Sequence, residues 1–512
     1  MKKDFREQIY AKKDFVVTWE LIPGRGAWEI SQEKVLAQAE KAAKGNIVDA
    51  ISLTDNPGGN VGIRPDVIGQ EIAKLGIDTI IHLTCKDKNR NQLESTLYAL
   101  ERAKLNNVLV LTGDYDLESS FGNPKPVFDL DSTQLLQMIQ QLNRGVVVKK
   151  PKGESQLKPC HFCAGAAVSP FKATEAELMM QYSKLKKKIE NGAAFIITQV
   201  GYDIRKYHEL LLYTRQMGWN ISLIGNLYAV NFPVGKLMNK NKVPGCVVTD
   251  KLLAELEKEW QSPDKGKQAM LDRIAKLYAL LKGIGYQGVH LGGHNMEYEQ
   301  LEYIVNKGEE LSANWQDYVR EFDFPQTNGF YLFERDEATG LNTEKTAATE
   351  RSCQVDRPKT YKLSRAFHKL FFVPDKNLYG IMKKLSASID GKKLEKPFHG
   401  LEHAAKSLLY NCQDCGDCAL TDIAYVCPMG DCPKNQRNGP CAGSYLGWCE
   451  VNPDKQCIWV RAYHRLKKYG EQAELNSYQV SPYNWKLQHT SSWINFYLGR
   501  DHSASRLNGD RR

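Results

Sequence analysis

Through residues 1–311, short apolar, β-branched runs alternate with longer stretches in which apolar positions recur every three to four residues. The runs at 15–21, 49–54, 78–84, 107–112, 161–168, 194–200, 220–225 and 287–292 predict strands, and the stretches at 31–43, 91–104, 174–190, 204–217 and 266–282 predict helices. Strands separated by helices pair in parallel, because each helix returns the chain to the same end of the sheet. Eight such units in this length predict a closed (β/α)8 TIM barrel rather than an open doubly wound sheet. No G-x-G-x-x-G follows the first strand, which weakens a dinucleotide-binding alternative. A polar stretch at 312–359, containing NGFYLFERDEATGLN, reads as a linker with some order. Residues 360–512 form a small cysteine-rich domain with an aromatic tail.

Composition narrows this picture only slightly. The 512 residues are 42% hydrophobic and 25% charged, as in ordinary globular proteins, and the length favours two or three domains. A net charge of +9 is thin over this length, and its densest run, Lys184 to Lys188, carries a helical pattern that reads as a solvated face. No arginine-rich arm or nucleic-acid module is visible, so the basic balance points to acidic small molecules rather than a polynucleotide. The first residues, MKKDFREQIYAKK, lack an apolar signal core and no stretch is long enough to span a bilayer, so a cytoplasmic location is expected.

The cysteines change the picture more. Eight of thirteen fall between Cys412 and Cys457. Cys412, Cys415 and Cys418, at i, i+3 and i+6, can aim three thiolates at one centre, and Cys427-Pro428 supplies a fourth in the manner of ferredoxin loops. Cys432, Cys441, Cys449 and Cys457 provide material for a second site. In a reducing compartment such clusters bind metal more often than they form disulfides. Both a 4Fe-4S cluster and zinc suit these spacings.

Polar residues also gather where the predicted strands end: Glu20, Thr54 and Asp55, His82 and Thr84, Asp114, and Gln199. Singly, each is an ordinary cap. Recurring at equivalent ends, they project into one barrel mouth, where TIM barrels carry their active sites. A carboxyl there, desolvated by Trp19, is expected to have a raised pKa and to act as general acid.

The segments Trp19-Glu20-Leu21-Ile22-Pro23, Ile81-His82-Leu83-Thr84-Cys85, Thr112-Gly113-Asp114, Gly192 to Gln199 and Leu227 to Phe232 occur in an order and spacing that resemble the 5,10-methylenetetrahydrofolate reductase family. The resemblance spans residues 15 to about 305 and implies an oxidoreductase of one-carbon metabolism: a flavoprotein barrel reducing methylenetetrahydrofolate to 5-methyltetrahydrofolate. It implies that Glu20 protonates the folate nitrogen as the ring opens, while hydride passes from flavin N5 to the exposed iminium carbon. Asp114 would contact the pterin and the flavin's pyrimidine edge. Gln199 and Phe232 would contact folate. Thr54, His82 and Lys188 would contact flavin, Lys188 through a phosphate. The cysteine module, with Phe398-His399-Gly400 and the ending around Trp493 and His502, resembles the small partner subunit of the reductase in acetogens and related anaerobes. That likeness implies electrons arriving through a metal cluster or an electron-transfer protein as well as from NAD(P)H, and an oligomer.

Three positions depart from the family pattern: Thr112 and Asn295 stand where arginines are expected, and Gly165 where a tyrosine is expected. Thr112 and Gly165 leave FAD or FMN open, and Asn295 weakens the folate-tail contacts, with tetrahydromethanopterin as an alternative substrate. Two other readings of the chain are a methyl-pterin-binding component of a corrinoid or O-demethylation methyltransferase, and a non-catalytic electron-transfer subunit.

Overall fold

A computed structural model describes residues 4–115, 121–347, 359–374 and 377–504. Eight parallel strands close into a barrel: β1 (Val16–Leu21), β2 (Ala50–Leu53), β3 (Asp78–Thr84), β4 (Asn107–Leu111), β5 (Cys163–Val168), β6 (Phe195–Thr198), β7 (Ser222–Ala229) and β8 (Gly288–Gly293). Each pairs with its sequence neighbours, and β8 closes on β1 with Thr18 opposite His290. The expected TIM barrel is what the chain forms, within two residues at most strand ends.

Strand alternation sorts the side chains. Val17, Trp19 and Leu21 point outward into the layer between sheet and helices, while Val16, Thr18 and Glu20 point inward. Along the inward series the chemistry changes with height. At the bottom, Val16, Ala50, Ile80, Leu109, Cys163 and Phe195 make an apolar layer, plugged from below by Phe5 of the helix Phe5–Ala11, whose ring meets Phe195 edge-on at 5.4 Å. Above it lie Ser52, His82 and His290, and at the top Glu20, Thr54 and Thr84. An apolar floor under a polar mouth is what the β1, β2, β3 and β8 sequences encode.

Trp19 does not desolvate Glu20, contrary to expectation. Adjacent strand residues face opposite ways, and Trp19 lies fully buried against Tyr298 of an outer helix, 6.4 Å between rings. Gly165 is also not at the mouth. It sits within β5 at the barrel floor, where an added Cβ would lie 2.2 Å from the Phe195 ring, so its identity says nothing about the flavin.

Within 312–347 the chain forms a 3-10 run, Ser312–Phe322, and a hairpin of Phe333–Arg335 with Asn342–Thr346. Both pack on the barrel: Phe330 N donates to Ala173 O at 2.8 Å, and Arg205 stacks on Tyr331 at 4.0 Å. Residues 348–358, including Cys353, lie outside the described set. The helices Lys359–Phe371, Asn377–Ile389 and Glu395–Tyr410 follow, then the cysteine loops, the helix Ile458–Lys467 and the tail. No helix among the described residues is long and apolar enough to cross a membrane.

Candidate active site at the barrel mouth

Glu20, His82 and His290 bring their polar atoms within 4.8 Å of one another above the apolar floor. His290 Nε2 lies 3.5 Å from Glu20 Oε2, and its Nδ1 lies 2.8 Å from Thr18 Oγ1, whose hydroxyl donates to Val289 O. With that hydroxyl proton committed to a carbonyl, Thr18 accepts from Nδ1–H, which leaves Nε2 facing the carboxyl. His82 pairs with Ser52 Oγ at 2.7 Å. Burial drives the His82 pKa down to about 4, so it is neutral at ordinary pH. Glu20 departs from expectation in the same sense. Burial pushes its pKa up, but the hydrogen bond and charge of His290 outweigh it and hold the carboxyl below its ordinary value.

These groups line a cavity of about 250 Å3 shared with Thr54, Asp114, Lys188 and Gln199. Asp114 Oδ2 accepts from Gly58 N at 2.7 Å. Lys188 donates to Ala167 O at 2.5 Å, and burial with the nearby Lys184 charge drives its pKa down to about 7. Gln199 Oε1 accepts from Val200 N. Phe232 is not in the cavity wall; it opens the helix Phe232–Asn239 and leans on Trp260, 6.4 Å between rings. Asp55 is absorbed locally, accepting from Thr84 and bridging Lys88 at 2.7 Å. Two wall atoms have no partner although buried: Thr54 Oγ1 and Gln181 Nε2. A buried polar atom left unpaired costs about 1–3 kcal/mol, so their natural complement is a polar ligand. A flavin ring edge, with carbonyl and N–H groups, fits that wall, and Lys188 fits a phosphate.

The roof of the cavity comes from the C-terminal part of the chain: Lys434, Pro440, Cys441, Ala442, Gly443 and Glu450. Lys434 Nζ donates to Gly113 O at 2.9 Å and bridges Glu450 at 2.7 Å. Lys172 Nζ donates to Ala442 O and Ser444 O, both at 2.5 Å. Lys184 Nζ donates to Gln436 Oε1 at 2.7 Å and to Gly439 O at 3.2 Å. Gly439 lies so close to Lys184 that a Cβ would fall 2.6 Å from its side chain. The run 184–188 is therefore no solvated face. Lys184, Lys187 and Lys188 are all buried, covered by the C-terminal segment.

The clustered cysteines form two groups. Cys412, Cys415, Cys418 and Cys427 surround one small cavity beside Lys406 and Arg437. In the second, Cys441 feels the charges of Cys432 and Cys457, and both of those feel Cys449. Burial pushes the Cys415, Cys427 and Cys457 thiols up to about 12. All twelve described cysteines are free thiols. Sets of four cysteines can hold zinc or an iron–sulfur cluster, either of which would displace those protons. Cys441 belongs both to the second group and to the cavity roof.

His290, Gln181 and the roof residues were not visible as site residues in the sequence. For His290 a signal existed: it is the one ionisable residue at an inward position of the eighth predicted strand.

The family described as methylenetetrahydrofolate reductase matches residues 5–308, and one described as the methylene-tetrahydrofolate reductase C terminal matches residues 392–486. Methylenetetrahydrofolate reductase 2 of Saccharomyces cerevisiae is 25% identical over 187 residues, covering 35% of this chain and 28% of its own length. The probable methylenetetrahydrofolate reductase (NADH) of Oryza sativa subsp. japonica is 24% identical over 243 residues, covering 45% and 38%. The matches thus span 28% to 38% of those relatives. A solved structure of a Clostridium thermocellum protein that binds two copies of 5-methyl-5,6,7,8-tetrahydrofolic acid superposes with a TM-score of 0.42 at 13% identity, covering 60% of this chain and 98% of its own.

Proposed function

The chain belongs to the methylenetetrahydrofolate reductase family, and from that premise we propose that its barrel mouth reduces 5,10-methylenetetrahydrofolate to 5-methyltetrahydrofolate. The observation that carries the reading is the Glu20–His290–Thr18 chain under a cavity whose wall leaves Thr54 Oγ1 and Gln181 Nε2 unpaired. The chemistry supplied by a bound flavin is hydride donation, and that supplied by an iron–sulfur cluster is one-electron transfer. The remaining work belongs to side chains. The proton for the folate nitrogen is delivered by Glu20, whose Oε2 lies 3.5 Å from His290 Nε2. Because Glu20 is an anion in the resting site, it becomes the acid by taking up a proton from water as the entering pterin buries the carboxyl and favours its neutral form. Neutral His82 does not compete for it. Asp114 and Gln199 orient the pterin by accepting and donating hydrogen bonds across the cavity. Thr54, His82 and Lys188 hold the flavin, with Lys188 on a phosphate; FAD and FMN satisfy this equally.

The cysteine groups hold metal in this reading, and iron–sulfur centres suit an electron relay. Cys441 in the cavity roof makes the group of Cys432, Cys441, Cys449 and Cys457 the nearer centre, and that of Cys412, Cys415, Cys418 and Cys427 the farther one. NAD(P)H or an electron-transfer protein is the donor.

The test is anaerobic purification with an absorbance spectrum and metal analysis. Flavin bands with iron and sulfide are expected. Zinc without iron removes the relay and leaves a structural module. A colourless, flavin-free protein removes the reductase reading and favours methyl transfer.

A further inference from the structure

A second cavity, about 400 Å3, lies on the far side of the helix Glu175–Glu190 from the barrel mouth, beneath the helix Lys359–Phe371 and the 421–425 and 471–480 segments. One helix serves both cavities: Lys188 lines the first and Lys187 the second. Three cationic side chains in its wall have donors to spare. Lys187 is 3% exposed, and no described group accepts a hydrogen bond from it; its ammonium lies 5.8 Å from the centre of the Trp459 ring and feels the charge of Asp422. Arg437 is 3% exposed; it spends Nη1 and Nη2 on Asp417, but its Nε is buried without an acceptor. Arg365 bridges Glu471 through Nη2 and leaves Nη1 buried and unpaired.

Lys187, Arg365 and Arg437 bring three cations to the wall of one cavity, and with the Lys187 ammonium lacking an acceptor that space calls for an anion with several oxygens. The wall is not uniformly basic. Asp422 is paired with His502 at 2.9 Å and Glu471 with Arg365, while Glu474 stands at the rim. Tyr361 and Tyr425 present aromatic surface in the same wall, 5.7 Å between rings. Cations for a phosphate, a carboxylate able to accept sugar hydroxyls and aromatic faces for a ring describe one ligand class, and the volume lies within the range of small-molecule sites.

We propose that this cavity is a nucleotide-binding site separate from the barrel mouth, with Lys187, Arg365 and Arg437 on the phosphate, Glu474 on the ribose and Tyr361 and Tyr425 against the base. The assignment does not depend on the chemistry at the mouth.

The experiment is calorimetric titration of the full-length holoprotein with AMP and, separately, with inorganic phosphate. AMP is expected to bind at one site, with phosphate at least about tenfold weaker because it lacks ring and sugar contacts. Lys187→Met is expected to weaken AMP by at least about tenfold, since each charge-assisted hydrogen bond contributes on that scale. Arg365→Gln, at a less buried position, is expected to weaken it in the same direction and serves if Lys187→Met fails to fold. Lys188→Met is expected to leave AMP within about twofold. Absence of AMP binding overturns the proposal. So does AMP binding lost in Lys188→Met but retained in Lys187→Met and Arg365→Gln, which assigns it to the barrel cavity. Phosphate binding as tight as AMP overturns the nucleotide class.

Discussion

In the barrel, one apolar layer runs from Val17 and Trp19 through Ile51, Ile81 and Val110 to Leu291, and it extends into the 312–347 segment through Val319, Phe322, Phe324 and Leu341. The cysteine-rich module has only a short apolar cluster around Ile423, Val426 and the helix Ile458–Lys467, finished by Ala176 and Met180 of a barrel helix. Beside it lie an aromatic cluster, in which Phe367, Phe372 and Tyr379 meet Trp493, Phe496 and Tyr497 of the tail, and a buried charged network. Arg437 meets Asp417 at 3.3 Å, His502 sits between Asp417 and Asp422, and Glu402 accepts from Lys406, Ser491 and Ser492. The barrel's stability therefore rests on burial of area. The module's rests on ionisation, on thiol ligands and on its seat over the barrel mouth. The two regions should answer differently to the same perturbation.

Metal removal should separate them most. Structural tetrathiolate sites can contribute about 10–16 kcal/mol of folding free energy in small domains. Chelation, or Cys415→Ser, is expected to expose residues 392–486 to protease and to rapid amide exchange, while 5–308 keeps its protection. Equal loss of protection in both regions would mean that the barrel depends on its roof for folding.

pH should move them in opposite directions. His82 in the barrel has a folded pKa of about 4, pushed down by burial from 6.5. The unfolded chain binds the extra proton between those values, so His82 costs stability as pH falls from 6.5 to 4, up to about 3 kcal/mol. His502 in the module is raised to about 9; burial opposes this, but Asp422 and Asp417 outweigh it. Its contribution is complete below pH 6.5 and is lost as pH rises through 9, on the same scale of about 3 kcal/mol. Comparing His82→Gln and His502→Gln with the parent protein in denaturant titrations at pH 5, 7 and 9 tests both signs.

How much of this was legible in the sequence follows the same division. The barrel strands were readable because each one's outward positions are apolar, and Glu20, Thr54 and His82 fell into the mouth because strand ends repeat around a barrel. The error over Trp19 was avoidable, since residues i and i+1 of a strand face opposite ways. His290 was hidden between Val289 and Leu291, in a run read only as a strand. The roof could not be read locally: Lys434 and Gly113 are 321 positions apart. The same cover explains the lysines of 184–188, whose helical charge pattern looks solvated until a second domain buries it.

Two glycines give the smallest contrast. Gly165 in β5 has the Phe195 ring against it, so Gly165→Ala is expected to cost about 1–3 kcal/mol by overpacking. Gly400, within the helix Glu395–Tyr410, has nothing within 4 Å of an added Cβ, so Gly400→Ala is expected to stabilise that helix by about 0.5–1 kcal/mol. Thermal unfolding followed separately in each region reads both.

The most direct measurement for the mouth is a single turnover of dithionite-reduced protein with 5,10-methylenetetrahydrofolate, followed by flavin reoxidation, in parent and Glu20→Gln forms. Removing a general acid that touches the reacting nitrogen should slow that phase by about 10²–10⁴-fold while the flavin spectrum stays unchanged. Reoxidation at the parental rate in Glu20→Gln would contradict Glu20 as the donor of the proton to the folate nitrogen.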